Sequence, residues 1–131
     1  MRLVEIYQCL CDETRLRLLN LLQTGPLCVC HLQEVLDMGQ VAVSKHLGYL
    51  RRHGLVTATR EGKWRIYRLV DPAPPELRRH LACLQDCTRE IPLFCEDQRR
   101  LAARLQDCCP PGPRAGTREP SAIHFRTKPN P

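Results

Sequence analysis

Two thiols one residue apart open the stretch Leu27-Cys28-Val29-Cys30-His31-Leu32, and an adjacent pair, Cys108-Cys109, stands near the carboxyl terminus. Thiolates are soft ligands that discriminate among ions by softness and geometry, so a close pair offers a chelate for a thiophilic ion. The alternative is packing, because a buried cysteine behaves as a small hydrophobe. Cys9 and Cys11 are read that way, and Cys28 and Cys30 as ligands. Residues two apart on a regular helix point about 200° apart around its axis. A helix that includes both cysteines would therefore keep the sulfurs apart unless its first turn unwound. His31 is set aside as a surface or first-turn residue. Cys83 and Cys87, one helical turn apart, could bind a metal together or pack against a partner subunit, and both readings stand. Cys108 and Cys109 are carried as additional ligands, with an accidental origin of the pair left open.

A second chemistry-bearing set follows closely. Gln40 and Ser44 are short hydrogen-bonders suited to base edges or phosphates, and Lys45 is suited to phosphate by charge. Lys63 and Arg65 suit a minor groove or a phosphate, whereas Trp64 reads as an anchor between its hairpin and the core. For Gln40 and Ser44 a solvated polar face is the alternative. The charge distribution favours contact with nucleic acid. The chain carries a net +6, and residues 38–70 account for it alone, with seven Lys and Arg against the single acid Glu61. A basic third in a small protein is the electrostatic footprint expected of phosphate contact.

Nine cysteines in 131 residues would suit a disulfide scaffold in an exported chain. The start Met1-Arg2-Leu3-Val4-Glu5 has no apolar export core, and no apolar run approaches the ~20 residues that span a bilayer. The expectation is a cytoplasmic chain without membrane association, its thiols reduced.

The elements that must position these residues are legible from punctuation and period. Asp12 is placed to cap a helix carrying Leu16, Leu18, Leu19, Leu21 and Leu22, which Gly25-Pro26 stops, and Leu3, Ile6, Tyr7 and Leu10 mark an earlier helix. A short helix begins near Cys28 to Cys30 and runs to Leu36. Asp37-Met38-Gly39 turns the chain, and a second helix buries Val43, Leu47 and Leu50 before ending at His53-Gly54. Two helices joined by a three-residue turn, the second polar outside, form a helix-turn-helix. Leu55–Arg60 and Trp64–Val70 have strand composition around Glu61-Gly62-Lys63, giving a β-hairpin wing. Leu77, Leu81, Leu84 and Ile91 then make a heptad-like seam suited to pairing with another helix. The fold class expected is mainly α with a small β-hairpin, a winged helix-turn-helix. Residues 1–92 form the DNA-binding and dimerisation domain and residues 93–109 a helical extension. Residues 110–131 form a disordered tail with six prolines.

The runs IYQCLCDETRLRLLNLL, VAVSKHLGYLRRHGLV and REGKWRIYRL together resemble the ArsR/SmtB family of metal-responsive repressors, over roughly residues 3 to 90. Leu-Cys-Val-Cys resembles the arsenic-sensing motif of that family. The resemblance implies a homodimer paired through terminal helices that binds double-stranded operator DNA and is not an enzyme. It implies a repressor of a metalloid-resistance operon, released when trivalent arsenic or antimony binds cysteine thiolates, with no organic cofactor. It also makes His46 a groove-facing residue. The chain departs from the family pattern at His31, where an acid is usual, and at Gln33, where the best-known arsenic sensors carry a third cysteine. Glu76 to Asp86 lacks the carboxylate and histidine set of the family's other sensor site. Two alternatives are kept, a thiol redox-sensing repressor of the same fold and a small thiol-dependent arsenate reductase. The second lacks a Cys-x-x-Cys and a phosphate-cradling loop.

Overall fold

The computed structural model describes residues 2–105. Along them run α1 (Arg2–Leu10), α2 (Glu13–Leu22), β1 (Leu27–Cys28), α3 (Val29–Leu36), α4 (Gln40–Arg52), β2 (Val56–Glu61), β3 (Trp64–Leu69), α5 (Pro75–Thr88) and α6 (Pro92–Leu105). The strands form one antiparallel sheet in the order β1-β3-β2. Cys108, Cys109 and the proline-rich tail lie outside the described residues.

Asp12 caps α2 as its sequence position suggests, accepting the Arg15 N–H at 3.1 Å. Arg15 in turn donates to the last carbonyls of α1, at 2.9 Å to Cys9 O and 3.0 Å to Gln8 O. Its guanidinium also lies 4.1 Å from the ring centre of Tyr49 on α4. One side chain thus joins three helices. The helix-turn-helix forms because α3 ends at Asp37 in the left-handed conformation, φ 57°, with Met38 N–H closing on Gln33 O at 3.1 Å. α4 ends in the same way, with Gly54 at φ 80° and Leu55 N–H on Leu50 O at 2.9 Å.

Leu18, Leu19, Leu21 and Leu22 of α2 lie at the centre of the core, met by Leu32 and Val35, by Val43, Leu47 and Leu50, and by Leu77, Leu81, Leu84, Phe94 and Leu101. Each such side chain contributes on the order of 1.5–3 kcal/mol by leaving water. α6 belongs to this core and packs on α2 and α3. Arg17 holds the fully buried Asp97 through two hydrogen bonds of 2.9 Å, and Arg104 reaches Glu34 of α3 at 3.2 Å.

Four expectations are corrected. The hairpin is part of a three-stranded sheet, because Leu27 and Cys28 are extended and pair with Tyr67 and Ile66. The Leu77, Leu81 and Leu84 seam is buried within its own chain, covered by α2 and α6, so it is not available to a partner, and α5 ends before Ile91. Cys9 is buried as expected, and burial pushes its thiol pKa up, but Cys11 is exposed just beyond the end of α1. Trp64 stands outside the core at the wing tip, with the Lys63 ammonium 5.4 Å from its ring centre, and the wing is anchored instead by Val56, Ile66 and Tyr67.

Candidate metalloid site and nucleic-acid interface

Cys28 occupies an unusual junction. Its φ of −78° and ψ of 146° are those of a strand, it is the residue that caps α3, and its sulfur accepts the Cys30 N–H at 3.4 Å. Cys30 lies in the first helical turn. The extended backbone of Cys28 removes the 200° separation that a helix would impose, and the two sulfurs come within 2.6 Å, in thiol hydrogen-bond contact. The first turn therefore need not unwind for both to reach one ion, which corrects the expectation from a continuous helix. In an antiparallel pair, residues directly opposite share a face. Cys28 accordingly sits beside Ile66 and both are buried, while Leu27 and Tyr67 point into the main core.

His31 is also corrected. It is 8% exposed rather than on the surface, and a ring nitrogen and the two sulfurs all lie within 4.8 Å of one another. Two soft sulfurs and an imidazole nitrogen form a donor set that suits a thiophilic ion. Sequence reasoning missed His31 because a first-turn position does not say which face the neighbouring sheet will cover. Gln33 is partly exposed and supplies no sulfur.

The second set is exposed on two elements. Gln40, Ser44 and Lys45 are exposed along α4, and Lys63 and Arg65 are exposed on the wing. His46 is not fully presented with them. Its Nδ1 lies 4.0 Å from the Asp12 carboxylate, against the capped start of α2. Burial pushes the Asp12 carboxyl up, but the Arg15 N–H, the His46 ring and the Arg15 charge outweigh it and hold the group below its ordinary 3.8. Two further residues join the surface. Val41 is 76% exposed in the first turn of α4, where an apolar side chain suits a thymine methyl. Arg60 stands directly opposite Arg65 across the hairpin. Like charges placed so are unfavourable without an anion between them, which makes the pair a phosphate-seeking feature. The register that reveals it follows from the two-residue turn at Gly62-Lys63.

The bacterial regulatory protein, arsR family, matches residues 12–58. The arsenic resistance transcriptional regulator ArsR1 of Pseudomonas putida is 36% identical over 86 residues, which cover 65% of this chain and 67% of that protein. The chain belongs to the ArsR family. The arsenical resistance operon repressor of Escherichia coli, another ArsR relative, is 43% identical over 72 residues, 54% of this chain and 62% of that one. Two solved structures share the fold. One is the homodimeric winged helix-turn-helix DNA-binding domain of Mb0332 from Mycobacterium bovis, 29% identical with a TM-score of 0.57 over 68% of this chain and 80% of that one. The other is the AntR antimony-specific transcriptional repressor, 35% identical with a TM-score of 0.54 over 67% and 80%. In ArsR terms, α3 and α4 are the helix-turn-helix and β2 with β3 is the wing. These ArsR relatives are transcriptional regulators and not enzymes, and the reductase alternative falls. No helix among the described residues is long and apolar enough to cross a membrane.

Proposed function

We propose that this chain is a cytoplasmic, homodimeric repressor of metalloid-resistance genes, released from double-stranded operator DNA when trivalent arsenic or antimony binds the Cys28 and Cys30 thiolates. The observation that carries the reading is the 2.6 Å approach of two sulfurs at a residue that is at once strand, cap and ligand. The relatives named for arsenic resistance and the antimony-specific neighbour support the choice of ion. His31 and the tail cysteines Cys108 and Cys109 are candidates for further donors, the latter outside the described residues.

The mechanism follows from the threefold position of Cys28. In the DNA-binding state its sulfur accepts the Cys30 N–H and its backbone pairs with Ile66 on β3. Coordination redirects that sulfur away from the cap, at a cost of about 1 kcal/mol to the start of α3. It also draws on the β1 pairing that seats the wing. α3 supports α4, so both DNA-facing elements are displaced by one event. Gln40, Val41, Ser44 and Lys45 would enter the major groove from α4, with His46 bracing that helix against Asp12. Lys63, Arg60 and Arg65 would reach the flanking backbone. Pairing of two chains fits the exposed apolar residues of α1, with Val4 51% and Tyr7 50% exposed. Tyr7 meets His80 of α5 edge-on at 4.9 Å, so α1 and α5 present one surface. The homodimeric neighbour supports this assembly.

The test is fluorescence anisotropy of operator DNA with reduced protein, titrated with arsenite or antimonite. Release by either ion is expected, and DNA binding that neither ion changes would overturn the reading. The same sulfur contact also suits oxidation to a disulfide, so release by peroxide without release by arsenite would put a thiol redox sensor in its place.

A further inference from the structure

The pleat of the sheet puts the α3 thiol site in line with the tip of the wing. Leu27, Val56 and Tyr67 turn one face of the sheet to the main core. The opposite face carries Cys28, with Ile66 beside it on β3 and Thr59 beyond on β2. Along β3 the flanking residues on that face are Trp64 and Arg68. Each is diagonal to Cys28, at about 7–8 Å and within reach of a long or aromatic side chain. Arg68 is engaged on the far strand, where it donates to the Thr59 hydroxyl at 3.3 Å. Trp64 is the diagonal neighbour that remains. From Glu61 to Arg65 every wing-tip residue is exposed except Trp64, which is half-buried. Ile66, between Trp64 and Arg68 on this face, is 4% exposed although it stands outside the main core cluster. Its cover therefore comes from side chains local to this face.

We propose that Trp64 is a positioning residue of the switch: its ring forms the wing-side wall of the Cys28–Cys30 site and carries occupancy of that site to the wing tip. This rests on the metalloid reading above and gives it a direct route to the wing. The two sulfurs stand 2.6 Å apart. Two metal–sulfur bonds of about 2.3 Å at right angles set their sulfurs about 3.3 Å apart, so coordination has to spread the pair. Cys30 sits in the first turn of α3, and the Cys28 sulfur lies on the sheet face of Trp64. Sulfur and an aromatic edge attract at about 5 Å, a contact that is lost or re-aimed when the sulfur moves. The Lys63 ammonium stands 5.4 Å from the centre of the same ring and is drawn to it electrostatically. Ring and ammonium shift together, so a charge that faces the DNA backbone is redirected without passing through α3 and α4.

The chain holds one tryptophan, so its fluorescence reports Trp64 alone. The full-length chain, reduced with a phosphine and free of DNA, is titrated with sodium arsenite. Occupancy is read separately, as protection of Cys28 and Cys30 from iodoacetamide in peptide mapping. Trp64 emission should change in step with that protection, and C28S/C30S should show no change. The second measurement is the ratio of operator affinities without and with arsenite. Trp64→Ala should shrink that ratio about fivefold or more, and Trp64→Phe should restore it to within about twofold. A merely structural role would weaken both affinities alike and leave the ratio as it was. Four results overturn the proposal and leave the metalloid reading standing: constant emission while Cys28 and Cys30 are protected, an emission change that persists in C28S/C30S, a wild-type ratio in Trp64→Ala, or a Phe variant no better than Ala. Cysteines that stay open to alkylation under arsenite overturn both.

Discussion

The thiol pairs of α3 and α5 offer the same two atoms and differ in what holds them. Cys83 and Cys87 ride on a regular helix, one turn apart, and nothing else depends on their sulfurs. Cys28 and Cys30 are closer in sequence yet meet only because Cys28 has left the helix and joined the sheet. The first pair can change its chemistry without changing the fold. The second cannot, because the sulfur that would bind an ion is the one that caps α3, on a residue whose backbone completes the wing. A ligand site becomes a switch when its atoms already have structural duties to abandon.

The sharpest break in that contrast is substitution of each pair. Cys28→Ser and Cys30→Ser should each abolish arsenite-induced release while leaving operator affinity within a few-fold, since serine at position 28 is itself a good cap. Cys83→Ser/Cys87→Ser should release normally. Operator anisotropy with and without arsenite reads both. Next in size is the brace behind the α3 pair. Asp97→Ala strands the Arg17 guanidinium, whose pKa is raised above its ordinary value mainly by the Asp97 hydrogen bond. Loss of one partner from a buried ion pair costs about 3–5 kcal/mol, readable by urea denaturation. Leu81→Ala on the core side of α5 should cost about 2–5 kcal/mol of stability. Val4→Asp should instead dissociate the dimer by sedimentation while each chain keeps its helical content. A reversal of those two outcomes would return the leucine seam to the subunit interface.

Smaller effects belong to the wing and the α2 cap. Arg60→Ala and Arg65→Ala should each weaken binding to all sequences alike and lower the slope of log affinity against log salt by about 1 per contact removed. Asp12→Ala should cost about 1 kcal/mol through the lost cap. Because the folded Asp12 pKa is below its ordinary 3.8, its contribution is fully present above that value and disappears as pH falls through the lowered one. Wild type and variant should therefore differ in urea stability at pH 7 and converge in strong acid.

The winged helix-turn-helix was legible because it is written in local signals, the Asp37-Met38-Gly39 turn, the Gly54 cap and the Gly62 hairpin. The cysteines were legible as residue types, but their geometry was not. β1 is two residues long, and it exists only because Tyr67 and Ile66, far along the chain, pair with it. No local pattern announces such a strand. The same limit explains the leucine seam. A period of 3.5 says that Leu77, Leu81 and Leu84 will be covered and does not say by whom, and here the cover is α2 and α6 of the same chain. His31 and Trp64 were misplaced for a related reason, since each depends on where the sheet lies against the helices.

Arg15 also governs a dimension. It ties the final carbonyls of α1 to the ring of Tyr49, so one guanidinium helps to set the inclination of α4 relative to α1, together with the Arg2 hydrogen bond to His53 O. In two chains joined at α1, that inclination becomes the gap between two recognition helices. Successive major grooves on one face of DNA lie about 34 Å apart. α4 has thirteen residues and is about 20 Å long, so a tilt of roughly 10° carries its far end about 3 Å. Arg15 is in this sense a gauge block, and the property it calibrates is the spacing between operator half-sites rather than the bases within them.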